Sequence, residues 1–389
     1  MSLDRAEPNY FGAGPALLPT SVLQQAAKDL INYNGLGLGA GEISHRSSDA
    51  TKIINDTKQH LTELLSIPDT HEVFFLQGGG TTGFSSIATN LTAAFVKKTG
   101  KAGKAGYIID GTWSKKSYEE AVRLGVETYT VIDAKKEDGK FGSIPDVEKW
   151  NIPSDLSETS YVYFCDNETV NGVEFTEFPF EKFPGVEIVA DMSSNFLSKE
   201  IDVSKYGVIM AGAQKNVGLA GLSIYIIKKS LLEQASDDEL KALNLPLSPI
   251  AFHYPTVVKN NSAYNTIPIF TLHIIDLVLK HLLELGGLVA QEKLNKEKAS
   301  KLYNILDQYP TVYNLPVDKK YRSNMNVVFT IKDGSLDSEF LKAATEKTLS
   351  GLKGHRSVGG MRASLYNAVS LNSVNLLVDF IKEFGEAHK

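Results

Sequence analysis

Lys215 is the residue of this chain whose surroundings best suit covalent chemistry. It lies in a turn of small residues between two apolar runs, residues 207–211 and 223–227, which are typical of short buried strands. Burial lowers the pKa of a lysine, and the neutral amine can attack a carbonyl carbon to form a Schiff base. Taken alone, the stretch fits a surface lysine at the tip of a hairpin better than a reactive one.

Asp191 favours the chemical interpretation of Lys215. It ends the apolar run 187–191 and precedes Lys215 by 215 − 191 = 24 residues. In open parallel sheets, ligands bind at the carboxyl ends of the strands, so we expect the carboxylate and the amine at the same edge. Pyridoxal 5'-phosphate requires two groups from the protein. A lysine reacts with its aldehyde, and a carboxylate pairs with its pyridinium nitrogen. The sequence therefore predicts a pyridoxal phosphate site with Lys215 and Asp191 as its catalytic residues.

Alternating strands and helices must position these two residues. Continuous apolar runs separated by helical patterns predict an α/β fold with a mainly parallel sheet covered on both faces. The seven predicted strands cover residues 73–76, 107–109, 129–131, 161–164, 188–190, 208–211 and 224–227. A chain of 389 residues favours two domains. We predict a large domain at residues 16–268 and a smaller α+β domain at residues 269–389, with the segment 1–15 packing alongside the latter.

Composition excludes several classes of protein. The formal net charge of -6 argues against a nucleic-acid-binding surface. The single cysteine, Cys165, rules out an internal disulfide framework, and the eight histidines show no metal-binding spacing. No apolar run approaches the ~20 residues needed to span a bilayer, and the first residues lack the pattern of a signal peptide. We expect a cytoplasmic protein without a metal, a membrane or a nucleic acid as partner.

A run of three glycines follows the first predicted strand. Residues 77–80, Gln-Gly-Gly-Gly, join that strand to a helix that we predict from residue 83. Glycines at such a place let backbone N–H groups approach an anion at the helix amino terminus. The pattern matches neither a Walker A loop nor GxGxxG, so it indicates a phosphate without naming its carrier. A structural tight turn is the alternative.

Three further residues follow strand ends. Trp113 is placed where an aromatic residue can stack on a planar ring, although, taken alone, it fits packing in the core better. Asp110 is a candidate cap for the next helix. Thr169 follows the strand that ends at Cys165 and is placed either to bind a ring hydroxyl or to form a turn.

Two basic clusters lie far apart in the sequence. His45 and Arg46 form the first, and His355, Arg356 and Arg362 form the second, both among glycines. Arginine binds carboxylate and phosphate groups with two parallel hydrogen bonds. The clusters indicate a substrate with two anionic ends, against the alternative that each arginine is solvated at the surface.

With these residues in view, the chain closely resembles the phosphoserine aminotransferases over nearly its whole length. The segments Gly-Ala-Gln-Lys-Asn at 212–216 and Gly-His-Arg at 354–356 are specific to that family. Further matching segments are residues 14–19, 44–46, 78–80, 167–169, 190–194, 202–207, 264–266 and 361–364. The resemblance implies a homodimer of fold-type I that depends on pyridoxal phosphate.

The resemblance also implies a role for each site residue. Lys215 would form the Schiff base, Asp191 would pair with the pyridinium, Trp113 would stack on the ring, and Thr169 would contact its hydroxyl. The cofactor phosphate would be held by the backbone of Gly80 and Thr81, by Gln214, and by Asn265 and Thr266 of the partner subunit. His45, Arg46, His355, Arg356 and Arg362 would bind the anionic groups of the substrate. One departure is Thr81, since many bacterial relatives have a substrate-binding arginine there.

The implied reaction transfers an amino group from glutamate to 3-phosphohydroxypyruvate, giving O-phospho-L-serine and 2-oxoglutarate in serine biosynthesis. The alternatives within the fold are a serine–glyoxylate aminotransferase and a cysteine desulfurase, for which Cys165 in a strand is a poor nucleophile. A dinucleotide-dependent dehydrogenase would need a GxGxxG turn with an acidic residue about 20 residues later, and that pattern is absent. A non-enzymatic scaffold would leave the placement of Lys215 and Asp191 unexplained.

Overall fold

The computed structural model describes residues 4–389 of the chain. Eleven α-helices and twelve strands are found there. The strands are β1 (His71–Gly78), β2 (Lys104–Ile109), β3 (Thr128–Asp133), β4 (Thr159–Cys165), β5 (Asn167–Glu168), β6 (Val173–Glu174), β7 (Ile188–Asp191), β8 (Val208–Gly212), β9 (Gly221–Lys228), β10 (Tyr313–Asn314), β11 (Asn326–Ile331) and β12 (Met361–Ser364). The helices are α1 (Thr20–Ile31), α2 (Ser48–Leu65), α3 (Gly80–Thr99), α4 (Thr112–Arg123), α5 (Ala134–Asp138), α6 (Asp237–Ala242), α7 (Tyr254–Lys259), α8 (Ile269–Glu284), α9 (Gly287–Gln308), α10 (Asp337–Glu346) and α11 (Leu371–His388).

A seven-stranded sheet with the order β1-β9-β8-β7-β4-β2-β3 forms the centre of the larger part. Strand β9 pairs antiparallel with both neighbours, and the other pairings are parallel. This confirms the predicted mainly parallel sheet. The eight residues 213–220 that join β8 to β9 are too few for a crossover helix, so β9 returns antiparallel. The carboxyl ends of β1, β2, β4, β7 and β8 therefore lie at one edge.

Side chains of the central strands alternate between two apolar clusters, one on each face of the sheet. Phe75 and Ile209 belong to the cluster that α2 and α8 cover, whereas Phe74 and Met210 belong to the cluster that α3 and α4 cover. Successive side chains of a strand point to opposite faces. A strand covered on both faces is therefore apolar at consecutive positions, as the sequence shows.

The smaller part contains the antiparallel sheet β10-β11-β12 with α9, α10 and α11 around a separate apolar cluster. Phe11 from the amino-terminal segment is buried in this cluster, and its backbone N–H donates to the carbonyl of Ser350 at 2.9 Å. The predicted boundary at residue 269 remains a prediction. Because the apolar face of α8, with Leu272, Ile275 and Leu279, is buried in the cluster of the large sheet, we propose Gly286 (φ +96°) as the boundary.

Two kinds of feature are absent from residues 4–389. No helix combines the length and the hydrophobicity that crossing a membrane requires. No three side chains of His, Cys, Asp or Glu within this range are grouped so that they could hold a metal ion.

Candidate active site

A cavity of about 220 Å³ opens at the carboxyl edge of the large sheet. Seven of the residues that the resemblance assigns to the cofactor line it. The lining residues are Gly80, Thr81, Phe84, Trp113, Cys165, Asn167, Thr169, Asp191, Ser193, Ser194, Gln214 and Lys215. The fold thus brings together residues that are up to 135 positions apart in the sequence, from Gly80 to Lys215.

Lys215 lies in the turn after β8, and its Nζ donates a hydrogen bond to Thr169 Oγ1 at 2.7 Å. Within residues 4–389, no carboxylate lies close enough to form a salt bridge with this amine. Burial lowers the pKa of Lys215, and the positive charge of Arg362 lowers it further. The negative charge of Asp191 opposes both effects. A lowered pKa enlarges the fraction of neutral, nucleophilic amine near neutral pH.

Asp191 ends β7 and is 4% exposed. Its Oδ1 accepts hydrogen bonds from the backbone N–H of Ser193 at 2.9 Å and from Ser193 Oγ at 2.6 Å, while Oδ2 accepts one from the Tyr163 hydroxyl at 3.3 Å. Ser193 thereby fixes the orientation of the carboxylate. Sequence reasoning did not single out Ser193, although a serine two residues after an aspartate is a typical Asx-turn pattern.

The three-glycine loop leads directly into α3, which begins at Gly80 rather than at the predicted residue 83. Gly80 and Thr81 therefore occupy the first turn, where backbone N–H groups have no acceptor within the helix. Gly78 has φ +130°, and a Cβ atom there would lie 2.0 Å from Thr82 Oγ1, so this position requires glycine. The first turn of α3 thus presents free N–H groups, suited to an anion, to the cavity.

Trp113 lines the cavity, and its helix α4 is held by Glu168 rather than by Asp110. Glu168 accepts hydrogen bonds from the Trp113 N–H at 2.9 Å and from the Ser114 N–H and Oγ at 2.7 Å each. The hypothesis that Asp110 caps α4 is wrong, because the N-cap is Gly111 and no hydrogen bond reaches the Asp110 carboxylate from residues 4–389. Burial, with the charge of Glu168, raises the pKa of Asp110 well above its ordinary value.

The second basic cluster comprises His355, Arg356 and Arg362, of which Arg362 contacts a residue that lines the cavity. Arg362 on β12 donates from its guanidinium to the backbone carbonyl of Thr169 at 3.2 Å, which ties the smaller sheet to the site. The pKa of His355 is lowered by burial and then by the positive charges of Arg362, Arg356 and Lys116. These side chains are therefore close together, and the lowered pKa of His355 favours its neutral ring. Lys116 was not among the predicted site residues.

Seven predicted residues do not line the cavity that holds Lys215, namely the three of the second basic cluster and four others. His45 and Arg46 line a separate cavity of about 380 Å³ together with Tyr264. Asn265 donates to the Gln77 side chain at 3.1 Å, and the Gln77 amide donates to the carbonyl of Thr266. Their assignments to substrate and cofactor remain predictions, which require a second chain.

Comparison with known proteins agrees with this geometry. Residues 9–377 match the family Aminotransferase class-V. The chain belongs to this family. One class-V relative, the phosphoserine aminotransferase of Saccharomyces cerevisiae, is 63% identical over 392 residues, with 99% of each chain covered. The predicted enzyme class, an aminotransferase, is confirmed.

Solved structures of aminotransferases share the fold. Phosphoserine aminotransferase from Bacillus circulans subsp. alkalophilus superimposes with a TM-score of 0.89 at 34% identity, covering 98% of this chain and 99% of that chain. The phosphoserine aminotransferase of Trichomonas vaginalis, solved with pyridoxal phosphate bound, gives a TM-score of 0.86 at 36% identity, covering 97% of this chain and 100% of that one. The predicted fold class, fold-type I, is confirmed.

Proposed function

We propose that this protein is a phosphoserine aminotransferase that uses pyridoxal 5'-phosphate. It transfers the amino group of glutamate to 3-phosphohydroxypyruvate, giving O-phospho-L-serine and 2-oxoglutarate for serine biosynthesis. The observation that carries the proposal is that Lys215 and Asp191 line one cavity at the amino terminus of α3. A cytoplasmic location belongs to the same proposal, and the single, buried cysteine Cys165 supports it.

The groups that line the cavity fit pyridoxal phosphate. Asp191 is a carboxylate for the ring nitrogen, Lys215 an amine for the aldehyde, and the first turn of α3 an anion site for the phosphate. Trp113 supplies an aromatic face, and Thr169 and Gln214 supply hydrogen-bonding groups. When bound, the cofactor supplies a ring that accepts electrons from the substrate α-carbon.

Lys215 is the residue that moves the proton. As a neutral amine it removes a proton from the α-carbon of glutamate, and in the second half-reaction it returns a proton to the α-carbon of the product. Its hydrogen bond to Thr169 Oγ1 holds Nζ at the cavity wall. Because both half-reactions use the same site, we expect ping-pong kinetics.

The positive charges around the cavity favour a substrate with two anionic groups. Arg362 is held beside the cavity by its hydrogen bond to the Thr169 carbonyl, and Arg356 and His355, whose lowered pKa favours the neutral ring, are close to Arg362. Glutamate and 3-phosphohydroxypyruvate each carry two anionic groups. Serine and glyoxylate carry one carboxylate each, so the alternative serine–glyoxylate aminotransferase would leave most of these cations without an anion.

We further propose a homodimer in which each chain completes the site of its partner. Leu30, Ile31, Leu36 and Leu38 are exposed aliphatic residues within nine positions of the sequence, and Tyr264 is an exposed aromatic residue beside His45 and Arg46. Clustered exposed apolar residues commonly mark protein interfaces. A second copy of the chain on this surface would bring His45 and Arg46 of one subunit to the Lys215 cavity of the other. In the single chain these two residues do not line that cavity.

A shared site predicts complementation between two inactive variants. Lys215→Ala and Arg46→Ala proteins are each expected to be inactive. After the two are unfolded and refolded together, half of the dimers are mixed, and one site of each mixed dimer is intact. The mixture should therefore regain about one quarter of the wild-type activity. Variants refolded separately serve as the control, and a mixture that stays inactive would contradict the shared site.

The lowered pKa of Lys215 predicts how cofactor loading depends on pH. The neutral amine that reacts with the aldehyde becomes more abundant as pH rises through this pKa, so loading should accelerate at a lower pH than for an ordinary lysine. Because the charge of Arg362 lowers the pKa of Lys215, Arg362→Gln should move the profile to higher pH. The rate of absorbance change on adding pyridoxal phosphate to the cofactor-free protein measures this. Arg362→Lys, which keeps the charge, should retain the wild-type profile, and an unshifted Arg362→Gln profile would refute the coupling.

The proposed function itself is tested by spectroscopy of the purified protein. We expect an absorbance band of bound pyridoxal phosphate that changes when glutamate is added and changes in the same way when phosphoserine is added. Serine and alanine should cause the change only at much higher concentrations. A protein that responds to serine as readily as to phosphoserine would overturn the substrate assignment in favour of the serine–glyoxylate alternative.

A further inference from the structure

Lys116 lies on α4 one turn after Trp113, on the same face of the helix. Its Nζ is 4.4 Å from the centroid of the Trp113 ring. Trp113 in turn lines the cavity that holds Lys215 and Asp191. The ammonium group of Lys116 thus contacts the ring of a residue that forms the cavity wall.

Lys116 differs from its basic neighbours on α4 because it has no carboxylate partner within residues 4–389. Lys115 pairs with Glu119 at 2.8 Å, and Arg123 pairs with Glu120 at 2.6 Å. Lys116 is exposed, and its ammonium contacts the Trp113 ring. A cation–π contact at an exposed site is weak, so the ammonium can exchange it for an anion with little loss.

Lys116 is also close to other basic groups. Its charge acts on His355, together with the charges of Arg356 and Arg362. These groups come from two separate segments, α4 and residues 355–362, in a chain whose formal net charge is -6. The charges of Lys116, Arg356 and Arg362 repel one another, and a bound anion reduces that repulsion.

We propose that Lys116 is a specificity-determining residue that binds the phosphate group of the substrate at the mouth of the cavity. The ammonium leaves the Trp113 ring as the phosphate enters between α4 and the segment 355–362. This inference rests on the proposed function, since it assumes a phosphorylated substrate.

The chemistry of lysine favours phosphate over carboxylate at this position. An ammonium on a flexible four-carbon stem acts as a mobile point charge, so its attraction grows with the charge of the anion. A phosphate monoester carries close to two negative charges near neutral pH, whereas the distal carboxylate of glutamate carries one. Thr81, which also lines the cavity, contributes no charge. Lys116 should therefore distinguish phosphoserine from glutamate more than Arg362 does, because the Arg362 guanidinium is held by the Thr169 carbonyl.

The test compares Lys116→Met with Lys115→Met in the cofactor-loaded enzyme. Methionine keeps an aliphatic stem over Trp113 and removes the charge. For Lys116→Met we expect KM for phosphoserine to rise about tenfold, with kcat and KM for glutamate changed by less than about twofold. Lys115→Met should behave as wild type, because Lys115 is already paired with Glu119. Lys116→Arg should restore most of the affinity.

A binding measurement separates this inference from the proposed function. Calorimetric titration with 3-phosphoglycerate, which has neither an amino nor a keto group, should show about tenfold weaker binding to Lys116→Met than to wild type, with glutarate binding unchanged. Equal losses for both ligands, or none, would overturn the role of Lys116. If the wild-type enzyme ignored phosphoserine, the proposed function would fail, and the titration would still decide whether Lys116 binds phosphate.

Discussion

Replacing Lys215 with alanine is expected to lower the rate of amino transfer by about 10⁴-fold, the upper end of what general acid–base catalysis contributes. Lys215 carries the one amine among the side chains that line the cavity. The other residues there could not replace it: Asp191 is held by Ser193 and Tyr163, and the pKa of the Cys165 thiol is raised well above its ordinary value by burial. The variant would retain the cavity but lack the group that we propose to move the proton.

The matched control is Lys215→Arg, which keeps the positive charge and a donor for Thr169. Arginine cannot lose its proton in a protein, so this variant should be as inactive as Lys215→Ala. Single-turnover rates with glutamate, followed by absorbance, measure both variants. An arginine variant with more than about one hundredth of the wild-type rate would show that charge, rather than proton transfer, is the role of Lys215.

Removing the Lys215 amine should not destabilise the cofactor-free protein. Within the described residues, Lys215 forms no salt bridge, and burial disfavours its charged form. We therefore expect Lys215→Met to unfold at the same temperature as wild type or a higher one. Thermal unfolding would thus separate the loss of chemistry from a loss of structure, because residues placed for catalysis commonly reduce stability.

The sequence alone was sufficient to predict the site residues whose positions depend on where strands end. Apolar runs end at Gly78, Asp191 and Gly212, and a mainly parallel sheet brings such ends to one edge whatever the strand order. The placement of Asp191 and Lys215 at one edge therefore follows from the pattern of apolar runs. The strand order itself, with β9 inserted between β1 and β8, has no comparable local signal.

Tertiary contacts decide which carboxylate binds the first turn of α4, a choice that the local sequence pattern leaves open. Asp110 and Glu168 both follow strand ends, and a carboxylate beside a helix start suggested Asp110 as the cap. The fold instead directs Glu168 from a neighbouring strand end onto the first turn of α4 and leaves Asp110 buried without a partner in the described chain. Lys116 was missed for a related reason, since an exposed helical lysine is ordinarily solvated and only its position over Trp113 distinguishes it.

Asp191→Asn is the second substitution with a large expected effect, a fall in kcat of about 10²–10³-fold, comparable to removing one preorganised electrostatic partner. The amide oxygen of asparagine can accept the two hydrogen bonds that Ser193 donates to Oδ1. The amide NH₂ group would then replace Oδ2, so a donor would meet the ring nitrogen in place of an acceptor. The ring could no longer be held in its protonated, electron-accepting form, while the fold would be preserved.

A cofactor carrying a methyl group on the ring nitrogen distinguishes this electrostatic role from a structural one. The methyl group fixes the positive charge without any help from the protein, so it should restore part of the kcat of Asp191→Asn. The matched variant Ser193→Ala keeps the carboxylate but removes the hydroxyl, which donates to Asp191 and accepts from the Gly212 N–H, and we expect it to lose only about tenfold, since one charge-assisted and one neutral hydrogen bond are lost. A rate for Asp191→Asn within about threefold of wild type would show that the carboxylate does not act on the ring. A variant that fails with both cofactors while binding them normally would instead place the defect in the geometry that Ser193 and Tyr163 impose on residue 191.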